Sequence, residues 1–264
     1  MIVFLIPVRH EAGVNDYDKI WRLLNYTLTS IAAQDCPDWH VVVCANTVLP
    51  IWGSLPSHKI TFLEQKRDFL GRTLNAWNFH DFREHLRDKA YRRRCGVVYA
   101  LEHLRPTWYF MADADDYVSS DLVSTILDTT EPRHLVTTVN CGLIVNAGKN
   151  LYSVTDDFNT MCGTSIAIRT RLVHQSLSSP LDIGICLGQH KYERYFTDLC
   201  QQNEHHTLEH IPRAAYLQHE QNHGRKIWNY TKQMDAAMPI TDEIRTKFSI
   251  PRTLGLTKDH PVLE

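Results

Sequence analysis

Four large apolar residues, Trp108-Tyr109-Phe110-Met111, run almost directly into three carboxylates, Asp113, Asp115 and Asp116. An unbroken apolar run of this length suits a strand buried on both faces. The acids then stand at its carboxyl end, where open α/β sheets bind their ligands. Three acidic groups within four residues repel one another. A divalent cation relieves that repulsion, and hard oxygen ligands suit Mg(II), Mn(II) or Ca(II). Asp113 and Asp115 are therefore read as serving a metal that carries a phosphate-bearing substrate. The plainer alternative is that the acids open a helix near Ser119 or Ser120 and face solvent. It fits Asp116 or Asp121 taken singly, because Asp is common at helix N-termini.

The rest of the chain limits the partners such a site can have. A formal net charge of −2 over 264 residues gives no global basic field for nucleic acid or an anionic membrane. The seven cysteines form no Cys-x-x-Cys pair and read as reduced packing thiols in a cytosol. The opening run Met1 to Ile6 follows no basic region and is too short for a signal or membrane helix. It is better read as a first buried strand. A cytoplasmic protein without an integral membrane segment is expected, with room for peripheral contact with a membrane that carries a lipid-linked acceptor.

Strand Ile2 to Val8 stops at Pro7-Val8-Arg9-His10. Tyr17 to Gln34 has helical spacing of Ile20, Leu23, Leu24, Leu28 and Ile31, with Asp16 as N-cap and Pro37 just past the end. Trp39 to Cys44 and Lys59 to Leu63 read as strands. Residues 67–104 read as mostly helical, with Val97, Val98, Ala100, Leu101 and Leu104 as the apolar stripe. At least two of Arg92, Arg93 and Arg94 are expected on a solvated face. Strand, helix, strand, strand, helix, strand with right-handed crossovers builds a mainly parallel sheet. Leu135 to Val139, Leu143 to Val145 and Thr164 to Ile168 read as further strands, and Tyr192 to Gln202 as a helix. No repeat or low-complexity linker divides the chain, so one domain with two lobes is expected.

Three stretches in this order, Ile6-Pro7-Val8-Arg9-His10-Glu11, Val41-Val42-Val43-Cys44-Ala45-Asn46 and Met111-Ala112-Asp113-Ala114-Asp115-Asp116, resemble the GT-A glycosyltransferases, particularly the inverting family two. Asp88-Lys89 with Arg92, Arg93, Arg94 and Gly96 is similar to the family's helix before the acidic motif. Gly163 to Arg169 is similar to its acceptor-side strand, and Tyr216 to His223 to its closing histidine segment. The resemblance covers about residues 1–225. It implies an α/β, Rossmann-like central sheet flanked by helices, with a smaller acceptor-side lobe. Residues 1–120 would form the nucleotide-sugar half and 121–225 the acceptor half, with 226–264 a C-terminal extension. Two departures stand out. Asn46 occupies the place where the family usually has an acid that contacts the base. The usual Glu-Asp pair of the acceptor helix is not obvious near Gly188 to Glu193.

The resemblance implies transfer of a sugar from a nucleoside-diphosphate donor, UDP-linked, to a carbohydrate or other acceptor hydroxyl. Mn(II) or Mg(II) would stabilise the leaving diphosphate. Asp115 would be the direct ligand, Asp113 would contact the ribose or a metal-bound water, and Asp116 would serve catalysis by orienting the donor sugar or the loop. His219 or His223 would add a ligand from the far lobe. Pro7 and Arg9 would line the nucleotide pocket, with Glu11 and Asn46 reading the nucleoside and Lys89 and Arg93 meeting the diphosphate. The general base is left among Glu193, Asp198 and Asp182, with Glu193 preferred as catalytic. Two other enzymes use similar acids: a nucleotidyltransferase, which should carry a glycine-rich loop absent here, and a haloacid-dehalogenase-type phosphatase, whose motif normally follows the first strand. A catalytically silent sugar-nucleotide binder is the non-enzymatic alternative.

Overall fold

The computed structural model describes residues 1–51, 53–66, 82–177, 204–218 and 236–252. Its first half alternates as the apolar pattern demands. Strand β1 (Ile2–Pro7) leads into helix α1 (Tyr17–Ala32), then β2 (Trp39–Ala45), β3 (Ile60–Glu64), α2 (Phe82–His103) and β4 (Trp108–Met111). Asp16 caps α1 by accepting from the Lys19 N–H at 2.8 Å. Along β1, Ile2, Phe4 and Ile6 join the core shared with α1, while Val3 and Leu5 join the one shared with α2. Period-two alternation between two apolar layers is what makes the strand apolar throughout. Val97 and Ala100 of α2 are buried as expected, but Val98 is 39% exposed and drops out of the stripe.

The chain then forms β5 (Tyr117–Val118), α3 (Leu122–Thr129), β6 (Val136–Val139), β7 (Gly142–Asn146), β8 (Leu151–Thr155), α4 (Phe158–Met161), β9 (Ile166–Arg169) and α5 (Thr170–Leu177). Strands β10 (His205–Leu208), β11 (Ala214–Gln218) and β12 (Met238–Pro239) and helix α6 (Asp242–Phe248) complete the described fold. A central sheet runs β10-β6-β9-β4-β1-β2-β3, with β9 antiparallel to both neighbours and the other strands parallel to one another. The mainly parallel α/β sheet flanked by helices is the architecture expected.

A second sheet, β12-β8-β7-β11-β5, gathers five of the eight described strands that follow the acidic turn; β6, β9 and β10 join the central sheet. Gly142 of β7 is held to glycine by packing, since a Cβ there would lie 2.1 Å from the Phe158 ring. The described part of residues 226–264 joins this body. Met238 and Pro239 pair with Tyr152 and Leu151, and Phe248 is fully buried in the main core. Asp121 stands at the start of α3 without capping it through its side chain. Gln34 does so from the end of α1, accepting from the Val123 N–H at 2.8 Å and donating to the Ser119 carbonyl at 2.7 Å. Asp121 instead pairs with Arg213 and, at 3.6 Å, with Lys247. Among the described residues, no helix is long and apolar enough to cross a membrane.

Candidate active site

Strand β1 has β2 on one side and β4 on the other, so the connections part in opposite directions from it. The crevice that such a divergence opens at the carboxyl ends holds a pocket. Pro7, Val8 and Arg9 supply the β1 wall and Asp113, Ala114 and Asp115 the β4 wall. Ile20 of α1 and Asp88 and Lys89 of α2 close it.

Three carboxylates adjacent in sequence have three different surroundings. Asp113 lies on the pocket wall with both oxygens in ion pairs. Lys89 Nζ is 2.7 Å from each, and Arg93 Nη2 is 2.9 Å from Oδ1. Gly163 covers it from the other half of the chain, where a Cβ would come within 2.9 Å of Oδ2. Asp115 lines the same wall, and its charge and that of Asp113 favour the guanidinium form of Arg9 against the burial that lowers the Arg9 pKa most. Asp116 is 1% exposed and lies outside the pocket lining. Its Oδ2 accepts from Thr164 Oγ1 at 2.5 Å and from Cys162 Sγ at 3.0 Å, and its Oδ1 from the Leu217 N–H at 3.4 Å. The Thr164 hydroxyl also accepts the Asp113 N–H at 2.9 Å. Burial, then the charges of Asp115 and Asp113, push the Asp116 carboxyl well above its ordinary range, against these hydrogen bonds. Asp116 thus ties the β4–β5 turn to the Cys162–Thr164 loop and to β11.

The basic run of α2 is not solvated. Arg92 and Arg93 are each 1% exposed, which overturns the expectation that two of the three arginines face water. The i, i+4 spacing explains it. Asp88 and Arg92 bond at 2.8 Å on one turn, and Lys89 and Arg93 reach Asp113 together from the next. That spacing was visible in the sequence; the partner across the pocket was not. The Arg92 terminal nitrogens have no hydrogen-bond partner among the described residues and lie where their charge reaches His10 and Tyr17.

Of the other expected nucleotide residues, Pro7, Arg9 and Lys89 line the pocket. Asn46 does not. It is 5% exposed, donates to Thr47 Oγ1 at 3.3 Å and receives the Tyr17 hydroxyl at 3.5 Å. Glu11 is exposed in a short 3-10 turn, and Arg93 stands behind Asp113. Glu193, Asp182, Asp198, His219 and His223 lie outside the described residues, as does the expected Tyr192 to Gln202 helix. Thr164 reads in the sequence only as a strand residue and Cys162 only as a packing thiol, because only the fold brings them to Asp116.

A hard divalent cation in this pocket would draw on Asp115, which lines its wall and is half-buried where Asp116 is fully buried. Phosphate oxygens and waters complete such a shell readily, so this donor set suits Mg(II) or Mn(II) bound together with a phosphate. Among the described residues, no group of three or more His, Cys, Asp or Glu side chains is placed to hold a metal unaided.

No protein-family model and no curated protein matches the chain. Among solved structures it is similar to S. aureus TarS 1–349 in complex with UDP-GlcNAc, at 13% identity and a TM-score of 0.49, over 86% of this chain and 61% of that one. It is also similar to TarS 1–349 in complex with UDP, at 13% identity and a TM-score of 0.48, over 82% of this chain and 60% of that one. The chain therefore spans about three fifths of the length of the structures it matches.

Proposed function

We propose that the protein is a nucleotide-sugar glycosyltransferase that moves a sugar, a hexose, from a UDP-linked donor to an acceptor hydroxyl with inversion. The observation that carries this reading is the meeting of Arg9, Lys89 and Asp115 in one pocket at the divergence of β1 and β4. A diphosphate placed there meets two cationic side chains and one carboxylate that can share a metal with it. The order of motifs along the chain, similar to GT-A family two, points the same way.

In this reading Pro7 and Arg9 border the nucleotide, Lys89 meets the diphosphate and Asp115 holds Mn(II) or Mg(II), with His219 a further ligand. When bound, that cation supplies positive charge to the leaving diphosphate as the glycosidic bond breaks. Arg9 and Lys89 do the same from the protein side and are oriented before the donor arrives, so little reorganisation is needed at the moment of reaction. Asp116 acts by holding the turn that presents Asp113 and Asp115, which makes it a positioning residue. Glu193 would take the acceptor proton as general base. The setting proposed is cytoplasmic. An Asp113 nucleophile, as in the phosphatase alternative, is disfavoured because both of its oxygens are engaged by cations.

A panel of nucleotide sugars, followed for hydrolysis in the presence of Mn(II), tests the proposal. UDP-sugar cleavage that is lost in Asp115→Ala is expected. Absence of cleavage or transfer from every donor, with or without acceptors, would overturn it.

A further inference from the structure

We propose that the pocket binds a diphosphate without a metal, through Arg9 and Lys89, and that Asp113 is the anchor of Lys89 rather than a donor ligand. This rests on the glycosyltransferase reading only in taking the diphosphate as part of a nucleotide; the charge arrangement stands by itself.

The acidic motif reads as a negative cluster, and a negative cluster should repel phosphate until a cation arrives. The folded site differs. Asp88, Asp113, Asp115 and Asp116 are matched in number by Arg9, Lys89, Arg92 and Arg93. Each member of the second group bonds one of the first or feels its charge. An entering diphosphate therefore meets no net negative wall. Among the described residues, the cations on the pocket surface are Arg9 and Lys89. Lys89 is held there by Asp113, whose own position is fixed from three sides, by Arg93, by Thr164 through the backbone N–H, and by the close approach of Gly163. Arg93, with its side chain 1% exposed, is too deep to meet a ligand and serves as the inner partner of Asp113. The Lys89 side chain remains 17% exposed. An ammonium has three donors, and the two Asp113 oxygens do not exhaust them, so Lys89 keeps the anchor and takes a phosphate oxygen at once. Preorganised, charge-assisted contacts of this kind are the strong ones.

Calorimetry of the full chain in excess EDTA, with inorganic pyrophosphate and then UDP as probes, tests the inference. Both are expected to bind in EDTA within about 10-fold of their affinity in Mn(II). Lys89→Met and Arg9→Met should each weaken pyrophosphate by about 10-fold or more. Asp113→Asn, which loosens Lys89 without removing it, should weaken pyrophosphate by a smaller factor. Pyrophosphate binding that requires Mn(II) would overturn the proposal, and so would full affinity in folded Lys89→Met and Arg9→Met. The wild-type EDTA comparison decides even if a variant fails to fold. Pyrophosphate bound in EDTA and lost in Lys89→Met, with no nucleotide sugar ever cleaved, would uphold this inference and sink the glycosyltransferase reading instead.

Discussion

The carboxyl edge of β1 and β4 and the far edge at β6 and β10 belong to one sheet, yet they accommodate titratable side chains in opposite ways. At the first, carboxylates and cations are interleaved: Asp88 with Arg92, and Asp113 with Lys89 and Arg93. At the second, three imidazoles crowd together. His134 and His206 stack with ring centroids 4.9 Å apart, and His205 sits beside them in β10. Their hydrogen-bond partners are neutral. His134 Nδ1 accepts the Glu131 N–H at 2.9 Å, His205 Nε2 meets the Thr138 hydroxyl at 3.1 Å, and His206 Nε2 meets that of Thr129 at 3.2 Å. Burial, then the neighbouring imidazoles, lowers the pKa of His205 and His206. A buried group keeps its charge where the fold supplies an opposite one and gives it up where its neighbours share its sign. The first arrangement leaves charge ready for a ligand; the second does not.

The contrast breaks most visibly at the inner carboxylates. Asp116→Ala leaves the Thr164 hydroxyl, the Cys162 thiol and the Leu217 N–H without their acceptor, and should cost about 3 kcal/mol, or about 6–12 °C in Tm. A thermal shift under about 2 °C would mean that the turn is held by something other than this network. Asp113→Ala removes the carboxylate that Arg93 and Lys89 share and should cost about 2 kcal/mol, less than a fully buried pair because Asp113 is itself 20% exposed. Adding Lys89→Met to Asp113→Ala should then cost less than Lys89→Met alone, a coupling that a double-mutant cycle in urea reads directly. Strict additivity would refute the anchor role. Asp115→Ala should barely move stability, by about 0.5 kcal/mol or less. Its effect should appear as loss of the gain in UDP affinity that Mn(II) brings, a factor of up to about 10. A large Tm drop without a binding change would reverse the roles of Asp115 and Asp113.

What could be read beforehand follows the range of the interactions. The β1–α1–β2–β3–α2–β4 order was legible because each element buries a periodic apolar face, and periodicity is local. The pocket's place at the carboxyl ends of the strands was legible too, but the order that sets β1 beside β4 was not. A smaller acceptor-side lobe was expected, but not that its strands form a second sheet on the same core. Its strands are short, and β7 pairs with β11 across more than sixty intervening residues, a pairing no local pattern encodes. The acidic motif suggested three roles around one metal and its donor, because its members are neighbours in sequence. Side chains on successive residues of a turn point apart, so Asp113, Asp115 and Asp116 come to face a cationic helix, a pocket and a buried loop. The sequence distance from Asp116 to Thr164 hid the partner that decides its role.

The histidine edge yields the smallest effect and the cleanest sign. Among the described residues, Glu131 is the charge that favours a protonated His206; it is also paired with Arg133, and Arg169 donates to the Glu131 and His134 carbonyls while Arg171 donates to that of Arg133. Cations thus outnumber the acid around the stack, in keeping with the lowered His206 pKa. Because the folded pKa lies below the ordinary 6.5, the unfolded chain binds more protons between the two values. Stability from this edge is therefore complete above about pH 6.5 and is lost as pH falls through that window toward the folded pKa. Melting curves from about pH 8 down to about pH 5 should show Tm falling on the acid side. In His206→Phe, which keeps a stacked ring and removes its titration, that fall should be shallower. An unchanged slope in the variant would assign the acid loss to carboxylates such as those of the β1–β4 edge, and would remove the contrast between the two edges.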